Sequence, residues 1–150
     1  MQMMDFPEGL INLYLTEIGE PSENSLRIVV AEGVLGIPSP IKIGNIDLGE
    51  GHPIELNSDS RYFEINWDDY VAYAVRNESF WKAEPNEPQM INHLYMRADS
   101  AFLEFVSTTT FADNDYPGPL RHWALSTLTH CVDVVSVRPP RVRQFNAKGG

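Results

Sequence analysis

Two histidines, His122 and His130, stand in a Thr- and Val-rich stretch that runs without glycine or proline from residue 120 to 137. Imidazole is the side chain zinc most often recruits, so the pair invites a metal reading. The spacing opposes it. On a straight strand rising roughly 3.4 Å per residue the two Cα atoms lie about 27 Å apart, too far for one ion. Only a turn near residues 125–127 would bring them together, and the expectation is one partly buried and one surface histidine, with no metal and no cofactor. In an unbroken strand His122, Ala124, Ser126, Leu128 and His130 share one face, and Trp123, Leu125, Thr127, Thr129, Cys131 and Asp133 the other.

That alternation also bears on covalent catalysis. Neighbours along a strand point to opposite sides, so His130 is badly placed to deprotonate Cys131, and no G-x-S-x-G elbow presents a serine. Cys131 reads as a core residue. The acidic pairs Asp68-Asp69, Asp113-x-Asp115 and Glu84 with Glu87 have the chemistry for split acid and base roles, yet each sits where turns and caps are expected. The Asp113 turn lacks the glycine and terminal glutamate of a calcium loop. Neither a dinucleotide nor a phosphate-loop glycine pattern occurs. No residue is therefore assigned a catalytic role, and the chain reads as a binding protein rather than an enzyme.

The segment 70–81 has a different balance: Tyr70, Tyr73 and Trp81 alternate with Arg76 and Glu78. Aromatics interleaved with hydrogen-bonding groups suit a ligand pocket or a protein-binding patch. With His122 and His130 these residues form the candidate binding set. Asp68, Asp69, Asp113 and Asp115 form a candidate acidic patch.

The elements that position these groups are mostly strands. Residues 10–18 alternate as a strand, 19–25 carry Gly, Pro, Ser and Asn and make a turn, and Leu26 to Val30 follow as the second arm of a hairpin or meander. Residues 33–53 hold five glycines and three prolines. That density predicts a loop with strand fragments such as 41–43, crossing between sheet layers or serving as a binding loop. Residues 62–67 and 70–75 are β-branched and aromatic, and strand is favoured for the second over a short helix capped by Asp68. Residues 90–96 predict another strand. One helix is expected at about 99–109, opened by Asp99 or Ser100 and closed where Ser107 to Thr110 lower helix propensity. Arg141 to Phe145 predict a sheet-edge strand in a basic tail at about 138–150.

Charge is lopsided. All 21 acidic residues lie at or before Asp133, where seven basic ones leave −14; Arg138, Arg141, Arg143 and Lys148 bring the chain to −10. Such a balance repels nucleic acid and anionic lipid and favours a basic protein partner. The 150 residues, 43% hydrophobic, suit one globular domain. A single cysteine removes any internal disulfide, the opening residues carry no basic and apolar leader, and no stretch approaches membrane-spanning length, so a cytoplasmic protein is expected.

The sequence thus predicts a single α+β domain, mainly antiparallel sheet, with a partly closed barrel as one form of it and the helix packed on a face. The leading functional expectation is a non-catalytic module, inhibitor- or immunity-like, that docks a basic partner through its acidic surface. Two others stand beside it. One is a small enzyme or ligand carrier with an aromatic and histidine-lined pocket; the other is a homo-oligomeric structural module that sets its basic tail against a neighbour.

Overall fold

The computed structural model describes residues 6–87 and 92–146. In chain order its elements are β1 (Leu13–Gly19), β2 (Leu26–Glu32), β3 (Val34–Leu35), β4 (Ser39–Ile43), β5 (Ile46–Gly51), β6 (Ile54–Glu55), β7 (Arg61–Trp67), β8 (Ala72–Asn77), β9 (Leu94–Arg97), α1 (Ala101–Thr109), β10 (Arg121–Ser126), β11 (His130–Ser136) and β12 (Arg141–Asn146). A single 3-10 turn, Glu78–Phe80, follows β8. The α+β expectation holds at this level: antiparallel sheet with one helix. Of the strand expected at 90–96, residues 90 and 91 lie outside the described residues, as do residues 147–150 of the tail.

The larger strands form two four-stranded sheets, ordered β1-β2-β7-β12 and β8-β11-β10-β9. No closed barrel forms among the described residues. Each sheet instead keeps its own two edges and buries one face against the other sheet, the arrangement of a sandwich. Period-two alternation sets the inner faces. Leu26, Ile28 and Val30 of β2 lie opposite Trp67, Ile65 and Phe63 of β7, and Trp123 and Leu125 of β10 lie opposite Val134 and Val132 of β11. These ten side chains share one core cluster with Phe6, Leu10, Leu13 and Leu94. Burying each large one is worth roughly 1.5–3 kcal/mol.

Residues 120–137 are not one extended stretch. The chain reverses between β10 and β11, where the Thr127 hydroxyl donates to His130 O (2.8 Å) and accepts from His130 N (2.9 Å). A side chain thus closes the turn without glycine or proline. The reversal moves Cys131 and Asp133 onto the face of His122, Ala124 and Ser126, against the straight-strand expectation.

Residues 33–60 do not cross between layers, because β2 and β7 are neighbours in one sheet. They form an excursion: β3 pairs with β6, and β4 pairs with β5, giving a two-stranded ribbon. Gly33 sits at its root, where an added Cβ would fall 2.5 Å from Ile54 Cγ2 and 2.9 Å from the Tyr14 ring. Only glycine fits there without a shift.

Helix α1 lies against β10 and β11 on the outer face of the second sheet. Ser100 is its N-cap, accepting from Leu103 N at 3.0 Å, and Val106 is its buried anchor. At the far end Thr109 and Thr110 turn their hydroxyls back onto Phe105 O and Val106 O, and the helix stops.

Candidate functional site

Strand register builds the outer face of the second sheet in rows. Across β8, β11, β10 and β9 one row reads Ala72, Val135, His122, Arg97; the next reads Ala74, Asp133, Ala124, Tyr95; the third begins Arg76, Cys131, Ser126. The alanines leave the centre of this face low. The chain after the 3-10 turn passes over it with Trp81 and Glu84, and α1 bounds it with Ala101 and Phe102. Between them lies a cavity of about 300 Å3.

Hydrogen bonds chain the polar groups together. His122 Nε2 lies 2.7 Å from Asp133 Oδ1, and His122 Nδ1 lies 2.7 Å from Ser100 Oγ. Arg76 Nη2 donates to Asp133 Oδ2 at 2.8 Å. Burial raises the Asp133 pKa, but the His122 hydrogen bond, its charge and that of Arg76 outweigh it and hold the carboxyl below the usual range. A carboxylate accepts, so the imidazole presents Nε2–H to Asp133 and its other nitrogen to the Ser100 hydroxyl.

A second group lies beside it. Arg97, 5% exposed, contacts Glu84 Oε2 at 2.5 Å and Glu87 Oε2 at 2.7 Å, and Tyr95 donates to Glu87 Oε1 at 2.8 Å. Burial and that bond push the Tyr95 phenol well up. Glu84 also accepts from Ala101 N in the first turn of α1 (2.6 Å). Burial opposes its charge, yet Ala101 N and Arg97 prevail and its pKa is lowered. Burial raises the Cys131 thiol, which stays protonated and poorly nucleophilic at neutral pH.

Serine, histidine and aspartate in a hydrogen-bonded line suggest acyl transfer, but the geometry assigns them to the fold. A nucleophile must face its substrate. Ser100 is buried, does not line the cavity, and spends its oxygen on the helix cap.

Of the binding set read from the sequence, Arg76, Trp81 and His122 line this cavity. Tyr73 is on the opposite face of β8, packed against the core, and with Tyr70 it donates to Glu20. The Glu20 bond pushes the Tyr70 phenol up to about 12. Glu78 is exposed in the 3-10 turn, and His130 ends the β10–β11 turn beside Thr129 Oγ1. No cluster that would hold a metal ion occurs among the described residues. Arg97 and Tyr95 were not singled out from sequence; an arginine alternating with apolar residues in a short strand was the available signal.

The acidic set is largely occupied. Asp68 and Asp69 pair with Arg141 and Arg138 at 2.6 and 2.5 Å, and Asp113 Oδ1 accepts from Asp115 N and Tyr116 N to close a turn. Asp115 is exposed. The described part of the basic tail, residues 138–146, therefore folds back on the acidic body.

The ribbon offers a different kind of surface. Ile41, Ile43, Ile46 and Leu48 fall on one side of the β4–β5 pair and are 43%, 65%, 61% and 56% exposed. Lys42 and Asp47 face each other on the reverse side. Leu35 in β3 and Ile37 just after it are also exposed, at 65% and 83%.

Comparison with family models, curated proteins and solved structures returned no match. No described helix is long and apolar enough to cross a membrane.

Proposed function

We propose that this chain is a non-catalytic protein-binding module, inhibitor- or immunity-like, that docks a basic partner through the β4–β5 ribbon. The observation that carries this reading is the uncovered aliphatic face of Ile41, Ile43, Ile46 and Leu48. A two-stranded hairpin is marginal in water on its own. An exposed apolar patch of this kind marks an interaction surface.

Charge selects the partner. Asp47, Glu50, Glu55 and Asp59 lie along the excursion and join none of the ion pairs found among the described residues, whereas Lys42 is the excursion's only basic residue apart from His52. A basic rim around an aliphatic groove complements that pattern and accelerates encounter. A second copy, equally acidic, would bring like charges together, and an anionic bilayer is repelled in the same way. The arginines of the tail are engaged within the chain. Elsewhere the reactive groups bond to one another, which supports binding over catalysis.

The test is affinity capture from extracts of the source cells at low salt, with wild type beside an Ile43→Lys/Ile46→Lys variant. A basic protein held by wild type, released by added salt and not held by the variant is the expected result. Retention of the same protein by both, or a partner without basic character, overturns the reading.

A further inference from the structure

Docking through the ribbon leaves the cavity on the second sheet without a role. Its floor is kept low by Ala74 and Ala124 on either side of Asp133, Trp81, Phe102 and Leu125 add apolar surface, and its volume is about 300 Å3. That is the lower end of the range for small-molecule sites, with room for a body of roughly a dozen non-hydrogen atoms. The three carboxylates of the lining have both oxygens engaged. Asp133 accepts from His122 and Arg76, Glu84 takes Ala101 N and Arg97, and Glu87 takes Tyr95 and Arg97. The cations are not matched in the same way. Arg97 is buried between its two glutamates. Arg76, its side chain 50% exposed, commits only Nη2, and Lys82 is exposed and joins none of the ion pairs found among the described residues.

The charged groups left available to a ligand are therefore both positive, and both line the cavity. A cationic ligand meets Arg76 and Lys82 and finds every carboxylate of the lining taken. An anionic one meets charged N–H donors that are not yet spent. Exposed ion pairs are screened, so here the charge orients a ligand and the apolar lining holds it. We infer that the cavity binds a small monocarboxylic acid with an apolar body. The body lies over Ala74 and Ala124 beside Trp81 and Phe102, and the carboxylate stands at the mouth against Arg76 and Lys82. This site is independent of the docking surface.

Hydrocinnamate is the probe. Its comparators are hydrocinnamamide, which keeps the shape without the charge, and acetate, which keeps the charge without the body, each at up to roughly 5 mM, where a ligand of this size registers if it binds at all. Saturation-transfer NMR and tryptophan fluorescence on the full chain report binding. Hydrocinnamate is expected to bind, the amide to bind roughly threefold to tenfold more weakly, and acetate to give no signal. Lys82→Met removes a cation outside the ion pairs of the fold and is expected to weaken the acid roughly twofold to fivefold while leaving the amide unchanged. Ala74→Leu raises the floor and is expected to abolish the signal from both; should it fail to fold by circular dichroism, the ligand series and Lys82→Met decide. Ile43→Lys/Ile46→Lys is expected to bind hydrocinnamate as wild type does, so this site and the docking surface fail separately. No hydrocinnamate signal, equal binding of acid and amide, an unchanged acid affinity in Lys82→Met, undiminished binding in a folded Ala74→Leu variant, or loss of binding in the ribbon variant overturns the inference.

Discussion

His122 Nε2 lies 2.7 Å from Asp133 Oδ1 although the two are not register partners; His122 faces Val135, and Asp133 faces Ala124. The bond is a diagonal across β10 and β11, and through Ser100 it ties the sheet to the first turn of α1. Asp133→Asn is therefore expected to loosen sheet and helix together. Replacing the charged acceptor in this buried pair costs about 1–3 kcal/mol, read as a lower urea midpoint at neutral pH. An unchanged midpoint would show that the diagonal contributes little.

Acid should reveal the same pair. Asp133 has a folded pKa below its ordinary 3.8, so the unfolded chain takes up that proton first as pH falls. Its contribution is complete above about pH 4 and is lost as pH falls below that value towards the folded pKa. Glu64, lowered chiefly by its hydrogen bond from Arg27, and Glu84 act in the same sense from 4.5 downward. Denaturant midpoints measured from pH 6 down to about 2.5 should fall less steeply in Asp133→Asn than in wild type.

Ser136 is fully buried and serves two groups: its hydroxyl accepts from Trp123 Nε1 at 2.9 Å and donates to Arg138 O at 2.7 Å. Ser136→Ala leaves both unpaired at a cost of about 1–3 kcal/mol. Trp123→Phe removes one of the orphans. In a double-mutant cycle followed by chemical denaturation, the second substitution should therefore cost less in the Ser136→Ala background than in wild type.

The tail should be held by its strand more than by its charges. Asp68→Asn with Asp69→Asn breaks two exposed ion pairs and is expected to cost less than about 1 kcal/mol, whatever the salt concentration. Val142→Asp places a charge where Val142 packs on the core beside Ile65 and should lower the thermal midpoint by many degrees. Comparable effects from the two variants would reverse this assignment.

Much of the sheet was legible because its signals are local. In residues 61–67 the alternation of Phe63, Ile65 and Trp67 is the burial pattern found, and the serine before the apolar run at 101–106 is the helix cap found. The β10–β11 turn was not legible, since the Thr127 hydroxyl does there what glycine or asparagine does elsewhere. Missing it put Cys131 and Asp133 on the wrong face and hid the His122–Asp133 bond. The cavity was half legible. Aromatic and polar alternation pointed to Arg76 and Trp81, but Tyr73 follows the same alternation on the inner face, and only sheet pairing tells the two faces apart. For residues 33–53 the sequence predicts a loop with strand fragments, crossing between layers or serving as a binding loop, and does not show the ribbon, because composition records that a segment leaves a sheet and not where it returns.

The order of strands in the first sheet has a consequence for biosynthesis. Its members β1, β2 and β7 precede the whole second sheet in the chain, and β12, which covers the free side of β7, follows it. While a nascent chain is still short of residue 141, β7 exposes a row of unpaired amides and carbonyls beside an already assembled neighbour. An open edge of that kind recruits strands from other molecules. Truncation before β12 should therefore yield a product that aggregates rather than a smaller soluble protein.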